Sequence, residues 1–409
     1  MKKFVVLLIV LSVVFFGTLS AKNTEITFWT LFSGGEGHIM TDLVDNFNES
    51  HSEITVKAQK IDWLEYYNKL LTGLISGQPP DVAIMHLSVL PDYASKGVLT
   101  PVKDYVPKAF LDEYLPNIIK RAYYDDELVA LPLDTHPLVF YYNKKVIENA
   151  GLVDENGNPK VPGTWDEYLE FGKEIKTTTD DYGASLDKFG MLGERWFIAL
   201  YNQLGGSFYD EKAGKVIIDK ELAEEVYSII NASYKDEMTP VTDYDGGEAL
   251  FVNDRAAYHL NGVWAMAVYP DTEGLDFGVS MVPAVEGADP YTWGDSHSII
   301  FPKSPNQDKD KVEAAVTFAK WIIENSYEWA KAGHLPVVKD VLESEEFQSL
   351  PMRENYMEAA SYAVLAPSVI GWSEFREEMW ELCQKLIIGD LTEEEAAEEL
   401  VDKAESILE

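Results

Sequence analysis

The stretch EITFWTLFSGGEG (residues 25–37) decides how this chain of 409 residues begins to fold. Its first six residues alternate between apolar and polar side chains, which is the pattern of a β-strand. The glycine-rich part, residues 33–37, predicts a turn. Apolar side chains then recur at helical spacing over residues 38–48, which predicts an amphipathic helix.

The same alternation of strand and helix patterns continues for the first hundred or so residues. Residues 54–59 form a second predicted strand, and Asp62 followed by Glu65 is typical of a helix start. Residues 82–85 are a short apolar run of the kind that forms a buried parallel strand. This β-α-β-α-β order predicts an α/β domain with a parallel sheet.

The rest of the chain has the same mixed character. We predict strands near 128–133, 138–142, 257–260 and 278–283, helices over 196–204, 221–234 and 311–332, and two further helices with capping boxes at Thr164 and Thr392. The length favours two domains. Because no linker separates them, we expect two α/β lobes between which the chain crosses more than once.

The charge and the cysteine content exclude several classes of function. The sequence has 33 basic and 70 acidic residues, a formal net charge of -37. Such a charge repels nucleic acids and anionic membranes, so we expect no nucleic-acid partner. The single cysteine, Cys383, excludes an internal disulfide framework and a cysteine-based zinc site.

Residues 1–21 have the pattern of a secretory signal peptide. Two lysines precede an apolar run over residues 4–16, and small residues follow it. The run is shorter than the roughly 18–20 residues that a membrane span needs. No cysteine lies at the predicted cleavage site. We therefore expect an exported protein, periplasmic or extracellular, without a lipid anchor.

The common catalytic motifs are missing from the sequence. It contains no dinucleotide or P-loop fingerprint, no GxSxG elbow and no HExxH pair. We therefore expect no cofactor, no metal and no enzymatic activity. A glycosidase carboxylate pair has no fixed spacing, so a secreted polysaccharide-active hydrolase stays open as an alternative.

Three tryptophans stand beside glycines and polar residues where strands are predicted to end. They are Trp264, Trp293 and Trp372. Ligands of α/β proteins bind at such strand ends. An indole ring covers the apolar face of a sugar, while polar side chains bind its hydroxyls. The pattern therefore indicates a carbohydrate site.

Several longer stretches together carry a resemblance to a known family. They are, in chain order, GQPPDVAIMHLSVLPDYASKGVLTPV (77–102), LVALPLDTHPLVFYYNKKVIENAGL (128–152), PGTWDEYLEFGKEI (162–175), AAYHLNGVWAM (256–266), GVSMVPA (278–284) and EWAKAGHLPV (328–337). In this order they resemble the extracellular solute-binding proteins of sugar ABC transporters, the group that includes maltodextrin-binding proteins. The resemblance covers essentially the whole chain after the signal peptide.

The resemblance implies an architecture and partners. It implies a two-lobed periplasmic-binding-protein-like fold of the α/β class, with several interlobe crossovers and a hinged cleft. We expect residues 22–135 and 278–333 to form one lobe, and residues 136–277 and 334–409 to form the other. The implied partners are a carbohydrate ligand and a membrane permease, and a monomer is expected.

The resemblance also implies particular sugar contacts. The first group is Asp134 and His136 beside the hinge, Asn261, Gly262 and Trp264 at a stacking segment, and His86 and Ser88 after a strand. Maltodextrin binders carry an aromatic residue and a carboxylate where this chain has His86 and Ser88. Maltodextrin as the ligand is therefore left open.

Further candidates come from other positions near the expected cleft. They are Ser33 and Glu36 in the glycine-rich turn, Trp63 at a helix start, Arg195 with Trp196, and Asp295 and His297 after Trp293. Core packing is the alternative role for Trp63, and a salt bridge is the alternative for Arg195. A third functional hypothesis, a binder of an anionic non-sugar solute, depends on Arg195.

Overall fold

Two β-sheets form the framework of the chain. The computed structural model describes residues 23–187, 192–210, 215–305 and 307–408, and the predicted signal peptide, residues 1–21, lies outside them. The strands of the described residues are β1 (Thr24–Thr30), β2 (Ile54–Lys60), β3 (Val82–His86), β4 (Tyr123–Tyr124), β5 (Glu127–Leu128), β6 (Ala130–Pro132), β7 (Asp134–Asn143), β8 (Tyr182–Ser185), β9 (Tyr209–Asp210), β10 (Lys215–Val216), β11 (Ala256–Gly262), β12 (Phe277–Ser280), β13 (Thr292–Asp295), β14 (His297–Ile300), β15 (Leu335–Pro336) and β16 (Ala363–Val364).

Helices cover both sheets. Those of the described residues are α1 (Gly34–Ser50), α2 (Trp63–Ser76), α3 (Leu90–Ala94), α4 (Lys108–Asp112), α5 (Pro116–Ile119), α6 (Lys144–Asn149), α7 (Trp165–Thr178), α8 (Leu192–Gln203), α9 (Lys220–Tyr234), α10 (Tyr244–Val252), α11 (Lys309–Glu324), α12 (Ser326–Trp329), α13 (Lys339–Leu342), α14 (Glu345–Gln348), α15 (Ala359–Tyr362), α16 (Trp372–Ile388) and α17 (Glu393–Ile407). None of them combines the length and the apolar character that crossing a bilayer requires.

The first sheet has the strand order β2-β1-β3-β14-β6. β1 pairs in parallel with both β2 and β3, so the β-α-β-α-β prediction for this part is confirmed. β14 returns from much later in the chain and pairs antiparallel with β3 and β6. The sheet therefore unites the start of the chain with residues near 300.

The glycine-rich segment after β1 was predicted as a turn, and that prediction is wrong. The helix α1 begins at Gly34 instead of residue 38, so these glycines form its first turn. Ser33 is the N-cap residue, but its side chain makes no capping hydrogen bond. A Cβ atom at Gly35 would lie 2.5 Å from the carbonyl oxygen of Ala267. Glycine therefore allows α1 to approach the chain near Ala267 closely.

The second sheet is built around β7. β11, β12, β13 and β15 pair antiparallel with β7, and β8 pairs in parallel with β11. β7 is ten residues long and almost wholly buried; it contains the strand predicted over 138–142, and residues 134–137 extend that strand. β12 and β13 both pair with β7, and the next strand, β14, pairs with β3 and β6 of the first sheet. The lobe ranges themselves remain a prediction.

Three chain segments lie side by side where the two sheets meet. The middle one is the start of β7, at residues 134–136. On one side Asp295 pairs with His136, and on the other side Pro336 pairs with Asp134. We call these the crossing segments: residues 133–136, 295–297 and 329–336.

Local sequence signals explain where several helices begin and end. The capping boxes at Thr164 and Thr392 are both present, as predicted. The predicted helix over 311–332 is shorter, because α11 ends at Glu324 and Asn325 separates it from α12.

Cys383 is buried on α16, and burial raises the pKa of its thiol.

Candidate binding cleft

A cleft of about 540 Å³ lies beside the crossing segments. Its lining side chains come from both parts of the fold. Leu31, Ser33, Glu36, Trp63 and Leu64 line one side, His86, His136 and His297 lie between, and Asp187, Leu192, Arg195, Asp243, Tyr244, Asp245 and Trp264 line the other side. The cleft thus has aromatic rings on opposite sides and polar groups between them.

The structure brings eight of the predicted site residues to this cleft. They are Ser33, Glu36, Trp63, His86, His136, Arg195, Trp264 and His297. Trp63 is 39% exposed, so the structure does not support the alternative that it packs in the core.

Five other predicted residues lie directly behind the lining. The Ser88 hydroxyl donates a hydrogen bond to the Asp295 carboxylate, and both residues are buried. Asn261 donates to the Tyr244 hydroxyl. Gly262 packs against the Trp264 ring so closely that a Cβ atom would overlap it. Asp134 is 1% exposed beneath His136.

The remaining three predicted residues are tryptophans that do not line the cleft, although the Trp293 ring lies 4.2 Å from the Arg195 guanidinium behind the lining. Trp196 packs against Trp165, with ring centroids 5.1 Å apart and the rings tilted by 45°. Trp372 is 1% exposed and packs against Phe208 in the core of the second lobe. Trp293 is 4% exposed and, with Trp372, lines a separate cavity of about 370 Å³. Glycine and polar neighbours therefore do not by themselves bring a tryptophan to the cleft.

Trp264 and Arg195 form one wall of the cleft. The Trp264 indole Nε1 donates a hydrogen bond of 2.9 Å to the Tyr244 hydroxyl. The Arg195 guanidinium lies 5.1 Å from the Trp264 ring centroid and 4.2 Å from that of Trp293. Cation–π contact with both rings holds this guanidinium in place.

Arg195 has only a weak salt bridge. Its Nε lies 3.8 Å from Glu194 Oε1, whereas Arg376 Nε donates to the same oxygen at 3.0 Å. The Arg195 Nε atom is buried and makes no hydrogen bond within the described part of the chain. Burial lowers the pKa of Arg195 to about 10, so it remains a cation at neutral pH.

The Asp134 carboxylate is the centre of a buried hydrogen-bond network. Its Oδ1 accepts from His136 Nδ1 at 3.0 Å and from the backbone N–H of His297 at 2.9 Å. Its Oδ2 accepts from His297 Nδ1 at 2.8 Å and from Trp329 Nε1 at 2.6 Å. His334 Nδ1 lies 3.3 Å from the same oxygen. Burial would raise the pKa of Asp134, but the histidines hold it well below its usual range.

The histidines around Asp134 differ from one another in their pKa values. Burial, with His297 nearby, lowers the pKa of His136 to about 4. Burial also lowers that of His86, whose Nδ1 lies 2.6 Å from the Tyr67 hydroxyl. Burial would lower the pKa of His297 as well. Its contact with Asp134 outweighs this effect, so the pKa of His297 is raised above its usual value. His136 is therefore a neutral imidazole at neutral pH.

The same network contains the atoms that could surround a metal ion. Asp134, His136, His297 and His334 offer ligand atoms within 4.8 Å of one another. Both Asp134 oxygens, however, already accept N–H groups from Trp329 and the His297 backbone, and these hydrogens would crowd a cation. We interpret the network as hydrogen-bonded rather than metal-binding.

Sequence reasoning missed several lining residues. They are Leu31, Leu64, Asp187, Leu192, Asp243, Tyr244 and Asp245. Tyr244 stands between two aspartates and before two glycines. This is the same local signal that selected Trp293, so Tyr244 could have been found. The leucines carry no such signal, because their position depends on how the two lobes meet.

These features define a class of protein: two α/β lobes joined by adjacent crossing segments, with a ligand cleft beside them. Residues 33–329 match the family described as bacterial extracellular solute-binding protein, and the chain belongs to this family. A similar relative is the maltotriose-binding protein of Pyrococcus abyssi, 24% identical over 354 residues, or 84% of this chain and 73% of the relative.

Two further comparisons are informative. The arabinooligosaccharide-binding protein of Halalkalibacterium halodurans is 29% identical over 233 residues, which are 54% of this chain and 48% of that protein. Among solved structures, the GacH receptor of Streptomyces glaucescens superposes with a TM-score of 0.84 at 21% identity, covering 94% of this chain and 98% of that chain. This likeness confirms the predicted two-lobed fold.

Proposed function

We propose that this protein is exported and captures a sugar or oligosaccharide in the cleft, which it delivers to the permease of an ABC transporter. The observation that carries the proposal is the pairing of exposed aromatic rings with polar groups. Trp63 and Trp264 both line the cleft, together with the carboxylates of Glu36, Asp187, Asp243 and Asp245 and the imidazoles of His86, His136 and His297. Indole faces suit the C–H faces of sugar rings, and the polar groups suit their hydroxyls.

The proposed mechanism is closure of the two lobes around the ligand. A sugar that touches both walls binds the closed form better than the open form, so it shifts the population toward closure. The crossing segments would absorb the motion. The closed monomer is the form that the permease would recognise, and no chemical step on the sugar is needed.

The charges of the cleft favour a neutral sugar over an anionic solute. Among the lining residues that the structure describes, the carboxylates Glu36, Asp187, Asp243 and Asp245 stand against one guanidinium, that of Arg195. The phosphate or carboxylate group of an anionic ligand would therefore be repelled by most of the charged side chains in the cleft. Carboxylates are instead good acceptors for hydroxyl groups.

A thermal-shift screen against mono- and oligosaccharides, with product analysis of every hit, tests the proposal. A ligand at 100 times its dissociation constant should add about 2.7 kcal/mol to the free energy of unfolding. We expect a hit that remains chemically intact. A hit that is consumed would favour the hydrolase alternative. Stabilisation by anionic solutes alone would contradict the sugar ligand.

A further inference from the structure

One buried carboxylate receives a side-chain donor from each of the three crossing segments. His136 belongs to the first, His297 to the second, and Trp329 to the third. The third segment also contacts α1, because His334 Nε2 lies 2.6 Å from Glu36 Oε1 in the first turn of that helix. Asp134 thus connects the three crossing segments.

The direction of these hydrogen bonds fixes where the imidazole hydrogens lie. An ionised carboxylate only accepts hydrogen bonds. His136 and His297 must therefore carry a hydrogen on Nδ1, the atom that faces Asp134. In a neutral imidazole of this tautomer, Nε2 has a free lone pair and is an acceptor.

The second nitrogen of each ring remains available. No hydrogen bond within the described part of the chain engages Nε2 of His136 or His297, while both side chains line the cleft. Asp134 itself is 1% exposed and does not line the cleft. Its influence on a ligand must pass through the two rings.

We propose that Asp134 is a positioning residue that fixes the Nδ1–H tautomer of His136, so that this ring presents its Nε2 as an acceptor to a hydroxyl group of the ligand. The inference rests on the proposed function for the ligand, but the tautomer is a property of the free protein. It adds a detail to that function. The part of the cleft nearest the crossing segments should bind hydroxyl groups of the sugar that donate hydrogen bonds.

The first test needs no ligand. ¹⁵N NMR of the histidine-labelled protein at pH 8 reports which nitrogen of each ring carries hydrogen. We expect Nδ1–H for His136 in the wild type, and a mixture of tautomers for His136 in D134N, whose amide offers a single acceptor oxygen. The control is D295N, which alters a buried carboxylate that does not bond to His136 Nδ1. Nε2–H on His136 in the wild type would overturn the proposal.

The second test measures maltotriose binding by calorimetry. H136N retains an amide N–H near Asp134 but loses the acceptor that reaches the cleft. We expect both H136N and D134N to bind at least about tenfold more weakly than the wild type. A purely structural role for Asp134 predicts weaker binding by D134N alone, so wild-type affinity of H136N would contradict the proposal.

The two tests separate this proposal from the proposed function. If the wild type binds no sugar, the proposed function fails, and the NMR experiment still decides whether Asp134 fixes the tautomer. If sugar binds and His136 carries Nε2–H, the function stands and the role of Asp134 is wrong.

Discussion

Trp264 is the residue on which sugar binding should depend most. Its ring lines the cleft between Tyr244 and the Arg195 guanidinium. We expect W264A to weaken oligosaccharide binding at least about tenfold, or about 1.4 kcal/mol, because a buried aromatic contact is lost. Calorimetry measures the affinity. The control is W321A, a half-buried tryptophan on α11 that contacts Phe47, which should lower stability without changing affinity.

A second prediction at the residue scale concerns His259, which lies buried in β11. Its Nδ1 is 2.9 Å from the Ser185 carbonyl oxygen, and burial lowers its pKa from 6.5 to about 4. The folded protein therefore binds fewer protons than the unfolded chain between these values, and stability falls as the pH drops through them. We expect this loss, up to about 3 kcal/mol, to be absent in H259N.

Urea unfolding at a series of pH values tests the prediction for His259. F251L is the control, because it removes the ring stacked on His259 without removing a titrating group. It should lower stability at every pH and keep the wild-type pH dependence. An unchanged pH dependence in H259N would contradict the prediction.

At the scale of elements, the start of α2 has two roles: Asp62 caps the helix, and the next residue, Trp63, lines the cleft. The Asp62 side chain accepts a hydrogen bond of 3.0 Å from the backbone N–H of Leu64, and Trp63 is the first residue of the helix. We expect D62A to lower the free energy of unfolding by about 1 kcal/mol. D62S keeps a capping oxygen and should retain most of the stability in urea titrations. Equal losses in both variants would argue against a capping role.

Local signals predicted elements well where the relevant contacts are near in sequence. The caps at Asp62, Thr164 and Thr392 depend on residues two or three positions away, and all three are present. The glycines after Ser33 led to the wrong prediction of a turn, because glycine is common in turns. Here they continue a helix whose first turn lies close to Ala267, a contact that sequence patterns do not contain.

At the scale of the whole molecule, sequence predicted two lobes but not which residues meet between them. Asp134 was chosen as a sugar contact, and the structure places it behind the cleft with donors from residues up to 195 positions away. Trp372 was chosen from its neighbours and lies in the core. Both outcomes depend on tertiary packing, which overrides what the neighbouring residues indicate.

The arrangement of crossing segments also predicts a change in overall shape. A saturating oligosaccharide should lower the radius of gyration, because the ligand favours the closed form. Small-angle X-ray scattering with and without ligand measures the change. W264A at the same ligand concentration should retain the ligand-free value. An unchanged radius for saturated wild type would indicate that the lobes do not move.

The burial of the only cysteine has a practical consequence. Cys383 is enclosed in α16 with its thiol pKa raised, so it should not react with thiol reagents in the folded protein. Leu64 lines the cleft and is 79% exposed. In L64C the introduced thiol would be the reactive one, and a fluorophore attached there would lie where the two walls approach. The protein could then serve as an optical sensor of its own ligand without removal of its native cysteine.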